Sequence, residues 1–114
     1  TQVGGNLSAN GGILGGNGGF IETSGRLLDI NGIRVSTKSP LGKTGNWLID
    51  PVDTVIQSLS QSNTATTTYI SSSTLLSNLA TTNYTLSSSD GGNITVNADL
   101  TSVSTNTMTL NTFL

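Results

Sequence analysis

The feature that most constrains this chain is how short its apolar–polar alternations are. Between Gly15 and Asp53 they run for four or five residues before a glycine or asparagine turn interrupts them. Alternation with period two sends successive side chains to opposite faces of a strand. Ile21 and Thr23 share one face, with Phe20 and Glu22 on the other. Leu28 and Ile30 face away from Leu27 and Asp29, and Ile33 and Val35 face away from Arg34 and Ser36. Asn31-Gly32 is a strong turn dipeptide between the last two segments. Strands this short, one or two residues apart, do not make a hairpin sheet that stands alone. They fit the sides of a coil whose strands pair with coils above and below. The expected architecture is therefore an all-β solenoid that shares its core between neighbours.

Composition agrees with an economical core. The 114 residues include 14 Leu, 8 Ile, 6 Val and 2 Phe, about a quarter of the chain and just above the range where disorder is the better expectation. Only 9 % of residues are charged, while Gly, Ser, Thr and Asn abound, which favours β structure over charge-displaying surface helices. The length suits one domain, or a fragment of a longer protein. A net charge of −2 supplies no basic field for nucleic acid. The absence of Cys and His removes disulfides, thiolate metal sites and the usual neutral-pH base. No apolar run reaches the ~20 residues that span a bilayer, so membrane insertion is not expected.

Along the chain, Gly-Gly pairs at 4–5, 11–12, 15–16 and 18–19 suit tight corners between very short strands. Residues 38–45 (KSPLGKTG) form an exposed loop, since Pro40 disfavours a central strand and Gly42 and Gly45 bracket the excursion. Trp47 and Ile49 re-enter on one face; Val52, Thr54 and Ile56 follow the Pro51 break. Residues 58–68 read as an irregular polar excursion. Residues 71–80 (SSSTLLSNLA) are the one helical candidate, about two turns with a Ser or Thr N-cap, its small apolar stripe lying against the rest. Clean alternation then returns. Tyr84 and Leu86 share a face, Asp90-Gly91-Gly92 turns, and Ile94, Val96, Ala98 and Leu100 point inward, as do Met108 and Leu110. The chain ends on Phe113-Leu114 without a polar closing element and reads as a cut through a longer fibre.

Candidate chemistry is sparse. Enzymes built on β-solenoids gather acidic or basic side chains on one strand face. Here only Asp50 and Asp53 are close in sequence, with Pro51 between them. Asp50 reads as a turn or cap residue, with a calcium pair or a catalytic pair of the two as the alternatives. Without His no Ser-His-Asp triad can be assembled, and the chain is expected to be non-catalytic and cofactor-free. Lys38, Lys43 and Trp47 are candidates for a partner-binding surface. Trp47 has two readings, a core plug or a sugar-stacking ring. Asn6, Asn83 and Asn93 head Asn-x-Ser/Thr triplets and are candidate glycosylation sites, although a chain this rich in Asn, Ser and Thr contains such triplets by chance.

The strings GGNGGFIETSG (15–25), LDING (28–32), VSTKSPLGKTGNWLIDPVD (35–53) and ISSSTLL…TNYTLSSSDGGNITV (70–96) resemble the filamentous haemagglutinin and high-molecular-weight adhesin family of two-partner secretion exoproteins. The most specific part is Gly-Gly-Phe-Ile-Glu-Thr-Ser-Gly followed by Gly-Lys-Thr-Gly-Asn-Trp-Leu-Ile-Asp-Pro. The resemblance implies a right-handed parallel β-helix, here a single segment over residues 1–114, with a short helix or irregular excursion near 71–80. It implies a secreted or cell-surface bacterial protein passed through an outer-membrane two-partner secretion transporter and serving in adhesion or biofilm. It also strengthens the three Asn triplets as glycosylation candidates. The family's Asn-Pro secretion motifs have no match here.

The leading expectation is therefore a structural and binding segment of a secreted adhesin. Its partners would be a host-surface or matrix glycan or protein, neighbouring coils, or copies of itself. The alternative is an extracellular filament subunit joined end to end through exposed strand edges. A polysaccharide-active β-helix enzyme ranks third.

Overall fold

A computed structural model describes residues 1–88 and 91–112. Its elements are β1 (Asn6–Ser8), β2 (Phe20–Ser24), β3 (Arg34–Ser36), β4 (Asn46–Asp50), β5 (Thr54–Gln57), β6 (Thr68–Ser71), α1 (Ser72–Leu79), β7 (Asn83–Ser88), β8 (Ile94–Asn97) and β9 (Met108–Thr112). The strands form three sheets, ordered β1-β3, β2-β4-β7-β9 and β6-β5-β8, and every pairing is parallel. Short alternating segments fold this way because each buries one row of side chains only when the rows above and below supply its backbone partners. In the largest sheet two inward columns run through successive strands, Ile21–Trp47–Tyr84–Met108 and Thr23–Ile49–Leu86–Leu110. Leu28, Ile30, Ile33, Val35, Ile56 and Ile70 complete the fully buried core with Leu75.

Between the sheets, polar side chains stand in for strand partners. Asn63 Nδ2 donates to the Leu28 carbonyl at 2.7 Å, and its Oδ1 accepts the Tyr69 amide at 2.8 Å. Asn31 repeats the arrangement one step on, donating to the Tyr69 carbonyl at 3.1 Å and accepting the Ser71 amide at 2.8 Å. Thr68 Oγ1 accepts the Leu28 amide at 3.0 Å. Segment 28–31 therefore lies beside β6 without forming a ladder with it. Buried backbone groups must be paired, and here amides and hydroxyls pair them.

Helix α1 performs the same service for β3. Eight residues do not hold a helix in isolation, so this one depends on its packing. The Ser71 side chain caps the amide of Thr74, and Leu75 and Leu79 insert into the core. Asn78 is buried, accepting the Val35 amide at 2.7 Å and donating to the carbonyls of Ile33 at 2.9 Å and Thr74 at 2.8 Å. Thr74 Oγ1 takes the Gly32 amide at 3.0 Å, and Thr81 Oγ1 donates to the Val35 carbonyl at 2.5 Å. The edge of β3 opposite β1 is thus closed by a helix rather than by a strand.

These contacts overturn the expected all-β, right-handed parallel β-helix. A coiled stack adds one strand to each wall in chain order. Here the β1-β3 pair gains no third strand among the described residues, because α1 occupies that side. Strand β6 joins β5 on the side away from β8, so that sheet does not grow in sequence order either. Over the described residues the protein is a small mixed domain of short parallel strands in three separate sheets with one helix, and no solenoid is formed. The helix itself lies where residues 71–80 predict it. The inward assignments at Val96 and Leu110 also need correction. They are 42 % and 40 % exposed, because β8 and β9 are edge strands with no row covering them among the described residues. Asp90 of the expected turn and the Phe113-Leu114 terminus lie outside the described residues.

Close backbone approach explains Gly45. Its amide donates to the Thr37 carbonyl at 2.9 Å, and a Cβ there would overlap the Gly19 carbonyl oxygen. Only a residue without a side chain lets segment 18–19, Thr37 and the start of β4 meet at this point.

Candidate functional site

One cleft, of about 620 Å³, is lined by Lys38, Pro40 and Thr44 of the 38–45 loop, Leu76 and Ala80 of the helical region, and residues 102–106. The loop is exposed as expected, but it is pinned along one side. Ser39 Oγ donates to the Gly16 carbonyl, the Lys43 amide donates to Asn17 Oδ1 at 2.9 Å, and the Lys43 carbonyl accepts from Gly18. The 102–106 segment is held on the end of the helix. Ser104 Oγ and Asn106 Nδ2 both donate to the Leu79 carbonyl, at 2.7 and 2.8 Å, which satisfies an orphan acceptor of the last turn. Both margins are thus anchored to the helix and the sheets.

Two side chains in the cleft are left unused. Val103 is fully exposed, flanked by serines whose hydroxyls serve the backbone. Lys38 is exposed and makes no ion pair or side-chain hydrogen bond among the described residues. An unpaired ammonium near Leu76, Pro40 and Val103 suits a ligand with one anionic group and an apolar edge. Sequence reasoning identified Lys38 and assigned no role to residues 102–106. The available signal was Val103, a lone large apolar residue within TSVSTNT.

Lys43 is exposed on the same loop but does not line the cleft. Trp47 is not a surface residue. It is completely buried, its Nε1 donates to Thr23 Oγ1 at 3.1 Å, and its ring meets Tyr84 edge-on with centroids 5.9 Å apart. The core-plug reading replaces the sugar-stacking one, and Trp47 leaves the partner-binding set. The Tyr84 hydroxyl donates to the Leu75 carbonyl at 2.9 Å, tying β7 to the helix.

Burial raises the Tyr84 phenol well above its ordinary value of 10.0. The folded state keeps this proton to higher pH than the unfolded chain does. Its stabilising contribution is complete below the unfolded value and is lost as pH rises beyond it. Urea midpoints should therefore stay level to about pH 9.5 and fall above it. Tyr84→Phe, weaker at neutral pH through loss of one hydrogen bond, should show a shallower alkaline fall.

The three Asn candidates differ. Asn6, opening β1, and Asn93, preceding β8, are exposed. Asn83 is committed to structure. Its Nδ2 donates to the carbonyls of Thr44 and Gly45, both at 3.2 Å, and its Oδ1 accepts the Thr107 amide at 2.8 Å. A glycan on that nitrogen would break the link between rows. Asp50 is the last residue of β4 rather than a turn residue, and Asp53 Oδ1 accepts the Asn93 amide at 2.8 Å from 40 residues away. No group of three or more metal-ligating side chains gathers among the described residues. Comparison with protein-family models, curated proteins and solved structures yields no match.

Proposed function

We propose that this chain is a structural and binding segment of a secreted bacterial surface adhesin, and that it meets its ligand at the cleft between the 38–45 loop and residues 102–106. The observation that carries the reading is the pairing in one cleft of an unpartnered ammonium, Lys38, with a fully exposed apolar side chain, Val103, on anchored segments. An isolated exposed apolar residue needs no explanation; one that lines the same cleft as a free cation has the make-up of a recognition site. The motifs shared with two-partner secretion exoproteins support the surface setting, with export through the outer-membrane transporter of that system. The fold lends that resemblance no weight.

The ligand class that fits is a host-surface or matrix glycan or peptide carrying a carboxylate or sulfate. The test is binding of the purified chain to acidic-glycan and matrix-protein arrays, beside a Lys38→Glu/Val103→Asp variant. Wild-type binding that falls about tenfold in the variant, with unchanged circular dichroism, supports the reading. Equal binding by the two proteins would remove the cleft from it. No binding to any acidic glycan, matrix protein or host cell would sink the adhesin assignment.

A further inference from the structure

The two ends of the largest sheet match each other in register, in exposed apolar surface and in charge. Its outer strands β2 and β9 are both five residues long, and each has one edge without a strand partner among the described residues. The inward columns end at one edge in half-buried Ile21 and buried Thr23, and at the other in half-buried Met108 and exposed Leu110, with Val96 exposed on β8. Parallel pairing of β9 with the β2 of a second copy would set Ile21 over Met108 and Thr23 over Leu110, prolonging both columns. The outward column Glu22–Leu48–Thr85–Thr109 would place Glu22 over a threonine, so no like charges oppose one another at the join.

Charge sets the polarity. All four cations lie between Arg26 and Lys43, and with Glu22 and Asp29 they give residues 1–43 a formal +2. Residues 44–114 hold Asp50, Asp53, Asp90 and Asp99 and no cation, a formal −4. This sheet stacks in chain order, the cations lying between β2 and β4 in the chain and the described aspartates Asp50, Asp53 and Asp99 at β4 or beyond it. Opposite ends attract across such a join and like ends repel.

We infer that the protein associates head to tail with copies of itself, β9 of one copy pairing in parallel with β2 of the next. The contact is heterologous: the patch used at one end differs from the patch used at the other, so it propagates instead of closing on itself. Bare parallel edges are the template for this.

The natural chain has no Cys, which makes directed cross-linking clean. Glu22→Cys and Thr109→Cys place single thiols on outward positions of the two edges. With a short bis-maleimide, an equimolar mixture of the two variants should give cross-linked dimer about tenfold above either variant alone. A homodimer of Glu22→Cys or of Thr109→Cys as the main product would overturn the head-to-tail geometry. Sedimentation of the wild type should show mass growing with concentration, and raising salt from ~20 mM to ~300 mM should shift association to higher concentration by screening the opposed ends. Leu110→Lys should raise the association midpoint about tenfold while keeping the monomer's circular dichroism. A wild type that stays monomeric throughout the range would refute the inference. Leu110 is outside the cleft, so ligand binding by Leu110→Lys separates failure of assembly from failure of recognition.

Discussion

Replacing Asn78 by leucine is expected to lower the free energy of unfolding by about 3–5 kcal/mol, seen as a fall in urea midpoint at unchanged slope. Leucine matches asparagine in reach and adds apolar contact, so packing by itself would predict a small change. The loss comes from two buried main-chain groups of β3. The Val35 amide gives up its 2.7 Å acceptor and the Ile33 carbonyl its 2.9 Å donor, on an edge where the helix excludes water. Each stranded group costs about 1–3 kcal/mol. Asn78→Asp should be worse, since it keeps the acceptor, turns a donor into an oxygen facing two carbonyls and buries a charge. Ser77→Ala, one position away on the exposed side of the helix, should change stability by less than about 0.5 kcal/mol. If Asn78→Leu proves as mild as Ser77→Ala, the helix is not what closes β3.

Truncating Trp47 to alanine should cost a further-reaching about 3–5 kcal/mol, at the upper end of core deletions. The ring is wholly enclosed, so its removal leaves a void in the Ile21–Trp47–Tyr84–Met108 column. It also strips the Tyr84 ring of its edge contact and Thr23 Oγ1 of its donor. Trp47→Phe keeps most of the volume and loses chiefly the indole N–H, for about 1–2 kcal/mol. As the only Trp, it supplies a direct optical check. Native fluorescence should be blue-shifted and resist quenching by iodide. Quenching comparable to free tryptophan would return the residue to the surface and restore the sugar-stacking alternative.

Much of the local structure was legible because it depends on neighbours in sequence. Alternation placed Leu28 with Ile30, Ile33 with Val35, Trp47 with Ile49 and Tyr84 with Leu86 each on one face of a strand, and all eight are buried. Asn31-Gly32 marked a turn, and Gly32 adopts a positive φ of 80° there. The capped helix near 71–80 followed from a serine run before a leucine stripe. The candidate site was half legible: Lys38 was marked as a loop cation, whereas the 102–106 margin is brought to it by Ser104 and Asn106 binding the Leu79 carbonyl, some 25 residues away in sequence.

What alternation cannot encode is which strand lies beside which. Short parallel strands and turns fit a progressive coil equally well until something interrupts the order. The interruptions here are polar residues, Asn31, Asn63, Thr68, Thr74 and Asn78, whose side chains replace ladder bonds. In sequence they look like the many surface asparagines and threonines around them. Val96 and Leu110 show the converse, since an alternating pattern says which face is apolar but not whether another row covers it.

The sequence by itself determined the Asn31-Gly32 turn, the helix near 71–80 and the apolar face of most alternating segments, because those follow from period, glycine and capping chemistry; it did not show that 28–31 is no strand or that Thr68–Ser71 is one. Only the tertiary structure decided that the sheets stay separate, that Trp47 is sealed in the core, and that Lys38 and Val103 line one cleft. Each of these depends on long-range pairing of buried backbone groups, for which an amide side chain and a neighbouring strand compete on nearly equal terms.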